Sequence, residues 1–348
     1  MMVAAKWPDR AMGVLVASAL VASLLLASFV GVARAAPDDG ETWDARRPLP
    51  TRRTEVGGAV LDGRLHVVGR YPGSPAPAGA HEAYDPTTDS WSTLDPLPVD
   101  LHHAAAATLN GRLYVVGGWT PDLLPVATLY EYDATENSWQ ARVPMPTARA
   151  SVVAIASGGR LYAIGGNQGS GGAGDTGVVE AYDPAADRWD TLPSMPTPRH
   201  HAMGGDLGGR LHVVGGRAVG QGALMTTHEA FDPATGAWEL LPPLPTGRSG
   251  GAAAVLSGRL HVLGGEGGPA TFDAHEAFEP IAGAWTALPP MPTARHGLAA
   301  GAIGDVLYAA SGGPMPGATY SDALEAYVSS PAPGPPPEAS ACTPRPRV

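Results

Sequence analysis

The sequence has one cysteine and, apart from Lys6, no lysine. A single thiol cannot form an intrachain disulfide or a thiolate metal cluster, and Cys342 lies in a proline-rich segment near the C-terminus. Without a lysine beyond residue 6, Schiff-base chemistry is excluded for the rest of the chain. The remaining basic residues are all arginines, whose planar guanidinium matches carboxylates and phosphates.

Positive charge is also scarce. The chain has 22 Lys and Arg residues against 33 Asp and Glu, which gives a formal net charge of −11 at pH 7. An acidic chain repels a phosphate backbone, so the composition argues against nucleic acid as a partner. Glycine and proline, by contrast, are abundant, at 46 and 36 residues. Because apolar runs separate them, they predict many tight turns rather than disorder.

The first 35 residues are typical of an export signal. Lys6 and Arg10 precede an apolar run over residues 11–32, and Ala33-Arg34-Ala35 provides a signal-peptidase site. The apolar run is also long enough to span a bilayer, so an uncleaved membrane anchor is the alternative. In either case we expect the rest of the chain to be exported and to be secreted, periplasmic or held at the cell envelope.

A repeat of 47 to 50 residues is marked by six tryptophans. A proline follows each tryptophan by seven residues, a leucine follows that proline by fifteen, and an aromatic residue precedes each later tryptophan by seven. All length variation falls between the leucine and the aromatic residue, which indicates one variable surface loop per rigid unit. The tryptophans are Trp43, Trp91, Trp139, Trp189, Trp238 and Trp285.

Turn residues divide each unit into four short strands. A small apolar strand leads through a two-residue turn such as Asn110-Gly111 to a second strand ending on glycines, then to an EAYDP-like strand and the tryptophan strand. Six such units predict an all-β, six-bladed β-propeller with four antiparallel strands per blade, because a blade buries both faces only by radial stacking. The array begins with a lone Trp43 strand and ends after Tyr327, so we expect the N-terminal strand to complete the last blade.

The glycine pairs, together with the aromatic residue and the tryptophan, resemble the kelch repeat. The resemblance covers residues 42 to about 328, with Gly69-Arg70 and Ser311-Gly312 as departures. Together with the segments on either side, we expect a signal peptide or anchor at 1–35, a short linker at 36–41, a kelch propeller at 42–328 and a proline-rich disordered tail at 329–348. The resemblance also implies that partners bind around the central channel, on the face with the inter-blade connections and variable loops. The pairs are Gly117-Gly118, Gly165-Gly166, Gly215-Gly216 and Gly264-Gly265.

One arginine recurs in the connections before five of the six units, and Leu101 takes its place in the remaining one. We interpret this arginine as structural and expect it to pair with a glutamate that we assign to one position in all six units. The arginines are Arg53, Arg149, Arg199, Arg248 and Arg295. The glutamates assigned to that position are Glu82, Glu131, Glu180, Glu229, Glu276 and Glu325.

Positions that differ between blades are better ligand candidates, because the scaffold does not require them. The two positions after the arginine supply Glu55, His102, His103, Ser151, His200, His201 and His296. The variable loops, directly after the glycine pairs, supply Tyr71, Trp119, Asn167, Arg217 and Glu266. Trp119 would suit stacking on a sugar or covering an apolar peptide side chain, and packing under its own loop is the alternative.

The other histidines fill repeated packing positions. His66, His212 and His261 align with tyrosines of other units, and His81, His228 and His275 align with Leu129, Val179 and Leu324. Adjacent strand residues point to opposite faces, so at most one imidazole of each His-His pair should face the channel. With no local ligand spacing such as H-x-x-x-H, we predict no metal and no cofactor.

We expect a monomeric, non-catalytic binding protein with a protein or carbohydrate ligand. The converging arginines and histidines predict a cationic channel mouth that favours anionic ligands, increasingly so as pH falls. The resemblance leaves open a carbohydrate-active enzyme similar to sialic acid epimerases (mutarotases), with Glu55, Glu266, His103 and Arg217 as acid, base and carboxylate-binding groups. Copper chemistry of the galactose oxidase type is disfavoured because it needs a cysteine inside the propeller. A structural envelope protein is the third possibility.

Overall fold

A computed structural model of the chain describes residues 41–170, 174–218 and 224–328. The predicted export segment, the proline-rich tail and Cys342 lie outside these residues. Within the described ranges, no helix is long and apolar enough to cross a membrane. The regular structure of the described residues consists of six four-stranded antiparallel sheets and one small hairpin. The predicted six-bladed propeller is confirmed.

The strands follow the repeat in chain order. The chain begins with β1 (Thr42–Ala45), and blade 1 contains β2 (Gly57–Leu61), β3 (Arg64–Val68), β4 (His81–Asp85) and β5 (Ser90–Thr93). Blade 2 contains β6 (Ala105–Leu109), β7 (Arg112–Val116), β8 (Leu129–Asp133) and β9 (Ser138–Arg142). Blade 3 contains β10 (Val153–Ser157), β11 (Arg160–Ile164), β12 (Val179–Asp183) and β13 (Arg188–Leu192).

The second half repeats the same order. Blade 4 contains β14 (Met203–Leu207), β15 (Arg210–Val214), β16 (His228–Asp232) and β17 (Ala237–Leu241). Blade 5 contains β18 (Ala252–Leu256), β19 (Arg259–Leu263), β22 (His275–Glu279) and β23 (Ala284–Ala287), with the hairpin β20 (Glu266–Gly267) and β21 (Ala270–Thr271) inserted. Blade 6 contains β24 (Ala299–Ile303), β25 (Val306–Ala310) and β26 (Leu324–Val328).

Strand β1 supplies the fourth strand of blade 6. It pairs antiparallel with β26, so that Trp43 lies opposite Tyr327 as predicted. The indole Nε1 of Trp43 donates to the carbonyl oxygen of Pro289 at 2.9 Å. The other five repeat tryptophans donate in the same way to a carbonyl that follows the outer strand of the preceding blade. The ring is therefore closed by the same contacts that join its other blades.

The core lies between the blades. The first strands are rich in small residues because they line the channel, and each contacts the first strand of the next blade, including β24 with β2. Behind them, the leucine of the second strand and the aromatic residue of the third pack against the neighbouring sheet. Leu161 and Tyr182, for example, pack with Ala107 and Tyr114 of the preceding blade. The variable loops and inter-blade connections emerge together on one face.

The recurrent arginines are structural, as interpreted. All five are fully buried, and each pairs with the glutamate two residues before the aromatic residue of its own blade. In blade 3, the guanidinium of Arg149 lies 2.8 Å from the Glu180 carboxylate and donates to the carbonyl oxygens of Ala163, Gly165 and Val178. The hydroxyl of Thr147 donates to the other Glu180 oxygen at 2.7 Å. This Thr-Arg-Glu network fastens the inter-blade connection to the second and third strands.

In blade 2, the assignment of Glu131 to the repeated glutamate position is wrong. Glu131 is not equivalent to the other glutamates: it stands one residue before Tyr132, and Tyr130 occupies the position that Glu180 has in blade 3. Glu131 instead faces Arg142, with contacts of 2.9 and 3.1 Å. Val99, Leu101 and Tyr130 take the three places of the network and belong to one hydrophobic cluster. Blade 2 has therefore exchanged the whole network for apolar packing.

Candidate functional site

Six residues, one from each inter-blade connection, form a ring at the top of the channel. All six have a left-handed backbone, with φ between 53° and 64°. Five backbone hydrogen bonds of 2.7–3.2 Å join consecutive members, and the amide of Val56 reaches the carbonyl oxygen of Gly297 at 3.4 Å. We call this set the channel ring. Its members are Glu55, His103, Ser151, His201, Gly250 and Gly297.

The residue before each ring member pairs with the residue that follows the glycine pair of the same blade. Backbone bridges join His102 to Trp119 and His200 to Arg217, and Ala150, Ser249 and His296 form the equivalent bridges. In blade 1, the amide of Tyr71 donates to the carbonyl oxygen of Thr54 at 3.0 Å. The glycines make this approach possible: a Cβ on Gly118 (φ 109°) would lie 3.0 Å from the carbonyl oxygen of His102. The two groups of sequence candidates therefore converge on one place.

Above the channel ring is a cavity of about 260 Å³, which we call the mouth cavity. Ten of the twelve candidate residues line it, together with Leu123 and Gly317. Sequence analysis missed Leu123, although its place in the apolar run of a variable loop was a usable signal. The lining candidates are Glu55, Tyr71, His102, His103, Trp119, His200, His201, Arg217, Glu266 and His296.

The two remaining candidates lie elsewhere. Ser151 belongs to the channel ring but lines only the channel and not the mouth cavity, and its buried hydroxyl has no hydrogen-bond partner among the described residues. Asn167 is fully buried. Its side-chain amide donates to Asp175 and its side-chain oxygen accepts from the amide of Gly169, both at 3.0 Å. Asn167 therefore orders its own loop and does not face the mouth cavity.

Both members of each His-His pair line the mouth cavity, whereas only His103 and His201 line the channel itself, so the expectation of one imidazole per pair holds for the channel but not for the mouth cavity. Strand alternation does not apply, because His103 and His201 have φ of 54° and 53°. The imidazoles of each pair instead contact each other through their Nδ1 atoms, at 2.6 Å for His102 and His103 and at a shorter distance for His200 and His201. Burial lowers the pKa of His102 and of His200 to about 4, and it holds the pKa values of His103 and His201 well below their usual range.

These contacts fix the tautomers. Nε2 of His102 lies 3.1 Å from the carbonyl oxygen of Thr120, which only accepts, so Nε2 carries the proton and Nδ1 of this neutral ring is an acceptor. His103 must then donate from Nδ1, and its Nε2 keeps a free lone pair. The same reasoning applies to His200, whose Nε2 lies 3.4 Å from the Asp175 carboxylate and therefore carries the proton. His201 then donates from Nδ1, and its Nε2 carries no proton.

Glu55 is held in a protonated state near neutral pH. Its Oε2 lies 3.1 Å from the bare Nε2 of His103, and its Oε1 lies 3.4 Å from Nε2 of His296. Burial raises the pKa of Glu55 to about 8, with a further increase from the charge of Glu266 that Arg217 partly offsets. The proton on Glu55 lets the carboxyl donate to His103.

Arg217 and Trp119 give the mouth cavity a charged surface and an aromatic surface, respectively. The guanidinium of Arg217 lies 2.5 Å from Oε1 of Glu266 and 3.2 Å from Nε2 of His201. Trp119 is 5% exposed and stacks edge-on with His103, at a ring separation of 4.9 Å. Its indole N–H has no hydrogen-bond partner among the described residues. The mouth cavity thus combines an aromatic wall with a polar floor.

The predicted cationic channel mouth is wrong. The five repeated arginines are buried in ion pairs with glutamates. Burial also keeps His102, His103, His200 and His201 neutral at pH values well below 6.5. Arg217 remains, and Glu266 neutralises it. The mouth cavity is therefore close to electrically neutral at pH 7.

The comparisons with known proteins agree with this architecture. Residues 102–313 match the family described as the KLHDC2/KLHL20/DRC7 Kelch-repeats domain, which is more than half of the chain. A comparison with curated proteins gave no match. Among solved structures, one titled "Structure of YjhT" is similar, with a TM-score of 0.69 and 17% sequence identity, covering 80% of this chain and 95% of that chain. At this identity the likeness shows the fold alone.

Proposed function

Since the chain belongs to the kelch-repeat family, whose propellers present loops around a channel, we propose that it is an exported binding protein that takes a neutral carbohydrate into its mouth cavity. The supporting observation is the convergence of blade-specific side chains on one cavity of about 260 Å³. Positions that differ between blades are not required by the scaffold. Export is supported by the N-terminal sequence.

The chemistry of the mouth cavity favours a polyhydroxylated ligand. Hydroxyl groups both donate and accept hydrogen bonds, and the cavity offers matching partners in the guanidinium of Arg217 and the carboxylate of Glu266. An aromatic wall suits the apolar face of a sugar ring. Since the cavity is near neutral, it gives no Coulombic preference for an acidic sugar.

A protein partner is the second candidate, favoured by apolar residues on the loops of this face. Leu123 lines the mouth cavity and is 39% exposed, and its neighbour Leu124 is 53% exposed. Met315, two residues from the lining residue Gly317, is 62% exposed. Exposed apolar residues beside a cavity are common at protein interfaces.

The enzyme alternative also has a specific support, because its four proposed residues meet in the mouth cavity. Glu55, with a pKa raised to about 8, is poised to exchange a proton near neutral pH. His103, Arg217 and Glu266 line the same space. Epimerisation of a free sugar at its anomeric carbon needs one group to remove the hydroxyl proton and one to protonate the ring oxygen. Saturation-transfer NMR of anomer exchange in N-acetylneuraminic acid would detect this activity.

Binding is tested by applying the purified chain to glycan and peptide arrays, followed by calorimetry with any ligand found. We expect a neutral glycan to bind and Arg217→Ala to weaken it at least about tenfold, because Arg217 provides a charged donor. The matched control is Arg188→Ala, which removes an arginine 63% exposed at the opposite end of the sheets. Binding of peptides alone would favour the second candidate. Equal loss in both variants would move the site away from the mouth cavity.

A further inference from the structure

Three side chains of the channel ring bring Lewis-basic atoms together at the top of the channel. Donor atoms of Glu55, His103 and His201 all lie within 4.8 Å of one another. The imidazoles of the two histidines are 4.9 Å apart. The residues come from blades 1, 2 and 4, so no local spacing in the sequence could reveal the group.

The surrounding hydrogen bonds aim the imidazole lone pairs into this group. His102 and His200 each accept a hydrogen bond from Nδ1 of the following ring histidine. They are themselves held by the Thr120 carbonyl oxygen and the Asp175 carboxylate. A second layer that fixes tautomer and orientation in this way is typical of histidines that bind metal ions.

The donor set selects a class of ion. Two neutral imidazoles and one carboxylate match divalent first-row transition metals, whereas Mg²⁺ and Ca²⁺ prefer shells made of oxygen. Three protein ligands leave coordination positions for water or a ligand in the mouth cavity. A metal ion would also resolve the contact between two acceptors, Glu55 Oε2 and His103 Nε2, that a proton otherwise has to bridge.

We propose that Glu55, His103 and His201 bind one divalent transition metal ion, with zinc as the reference ion, at the top of the propeller channel. This site opposes the expectation from the sequence that no metal is bound. It goes beyond the proposed function, because metal binding requires neither a carbohydrate nor a protein ligand. Nε2 of His296, 3.4 Å from Glu55 Oε1, lies beside the group as a third nitrogen.

The positive charge of Arg217 opposes the binding of a cation at this site. Its guanidinium donates to Nε2 of His201 at 3.2 Å and has to move for that nitrogen to bind a cation. The side chain is 37% exposed, so it can swing out into solvent. Its other terminal nitrogen, Nη1, pairs with Glu266. Removing Arg217 should therefore strengthen metal binding, although the same change should weaken a hydroxylated ligand.

The test measures the metal alone. The full chain, dialysed against a chelator, is titrated with Zn²⁺ in competition with a chromophoric chelator, and Co²⁺ is added for its visible absorption spectrum. We expect one Zn²⁺ per chain, a Co²⁺ spectrum typical of mixed nitrogen and oxygen ligands, and much weaker binding of Mg²⁺. Glu55→Gln, His103→Gln and His201→Gln should each lower zinc affinity by at least about 100-fold, and His200→Gln by about 10–100-fold.

Ser151→Ala is the matched control, since Ser151 occupies the same ring and its hydroxyl has no partner among the described residues. It should bind zinc like the parent chain, and circular dichroism should show that every variant is folded. Arg217→Ala should bind zinc more tightly, and this gain should disappear when His103→Gln is added. The proposal is overturned if the three ligand variants keep the parent affinity, or if the parent binds Zn²⁺ no better than Mg²⁺.

Discussion

Six histidines form three buried pairs at repeated positions of blades 1, 4 and 5. In blade 1, Nδ1 of His81 donates to the carbonyl oxygen of Asp95 at 3.2 Å, and His66 donates from its own Nδ1 to His81 at 2.9 Å. Each pair thus links two adjacent strands as neutral rings with fixed tautomers. Burial lowers the pKa of His66 to about 4 and that of His81 to about 3. The other pairs are His212 with His228 and His261 with His275.

These pairs should make the fold sensitive to acid. In the unfolded chain a histidine titrates near pH 6.5, so on acidification protons bind the unfolded state first. Stability from the neutral pairs is complete above about pH 6.5 and is lost as pH falls towards 4, by at most about 1.4 kcal/mol per pH unit for each histidine. The free energy of unfolding of the wild type, measured by urea denaturation at pH 7.5, 6 and 5, should therefore decrease as the pH is lowered.

The chain offers its own replacement for a histidine pair. Blade 6 has Tyr308 and Leu324 at the positions of His66 and His81. The double variant His66→Tyr/His81→Leu copies that solution, so its free energy of unfolding should fall less steeply between pH 6.5 and 5 than that of the wild type. Parallel curves for the two proteins would show that the pair does not bind protons differently in the two states.

Sequence reasoning found the residues of the mouth cavity but not their geometry. Variation between blades identified Glu55, Trp119 and Arg217, because the repeat itself shows which positions the scaffold leaves free. It failed for Asn167, whose side chain satisfies its own loop. It also missed the convergence of Glu55 with both ring histidines. That convergence depends on a left-handed backbone at the ring positions and on the distance between separate blades, neither of which spacing along the chain encodes.

Within a blade, the Thr-Arg-Glu network and its absence from blade 2 are two solutions to one packing problem. In the networks of five blades the arginine is buried without exposure to solvent. The cost of burying both charges is offset by several hydrogen bonds to backbone carbonyls. Blade 2 fills the equivalent space with Val99, Leu101 and Tyr130. The strands on either side keep the same register, so the two solutions are interchangeable in shape.

Removing only the arginine of one network should lower the free energy of unfolding far more than replacing all three residues of the network together. Arg149→Leu leaves the Glu180 carboxylate buried without its cation, and we expect a loss of about 3–5 kcal/mol in the free energy of unfolding. Thr147→Val/Arg149→Leu/Glu180→Tyr copies blade 2 and should recover most of that loss. Arg188→Ala, which removes an exposed pair with Asp190, should cost less than about 1 kcal/mol. If the triple variant is as unstable as the single one, the two solutions are not interchangeable.

The elements themselves were predictable because every blade has a two-residue turn containing glycine at the same place in the repeat. The two-residue turns, such as Asn110-Gly111 with φ of 52° and 72°, need a left-handed backbone and mark the first hairpin of each blade. The small hairpin β20–β21 was not predicted, since it lies in a variable loop without a repeat. The shift of Glu131 was missed because a glutamate one residue away imitates the repeat, although the aromatic residue Tyr132 fixes the register.

The hydrogen bonds between neighbouring blades repeat around the whole ring. They are also present at blade 6, where the first and last strands of the propeller meet. The indole bond of Trp43 to Pro289 joins blades 6 and 5 as the bond of Trp139 to Asp95 joins blades 2 and 1. The seam in the ring lies inside blade 6, between β1 and β26. Four residue pairs and the backbone hydrogen bonds from Arg46 to Leu324 and from Leu49 to Asp322 hold that seam, with no covalent connection. It is therefore the place where the closed ring can be opened without touching the other five sheets.

Removal of β1 should weaken the closure of the ring. Deleting residues 37–48 exposes the edge of β26 and the side chain of Tyr327, which is fully buried in the intact chain, and it also removes Trp43. We expect a loss of roughly 3 kcal/mol or more, a lower Tm in calorimetry and self-association through the free strand edge. A synthetic peptide of residues 37–48 added in trans should raise the Tm again by mass action, whereas the same peptide with Trp43→Ala should not. An unchanged Tm after the deletion would contradict closure by β1, because the seam would then contribute nothing to the stability of the ring.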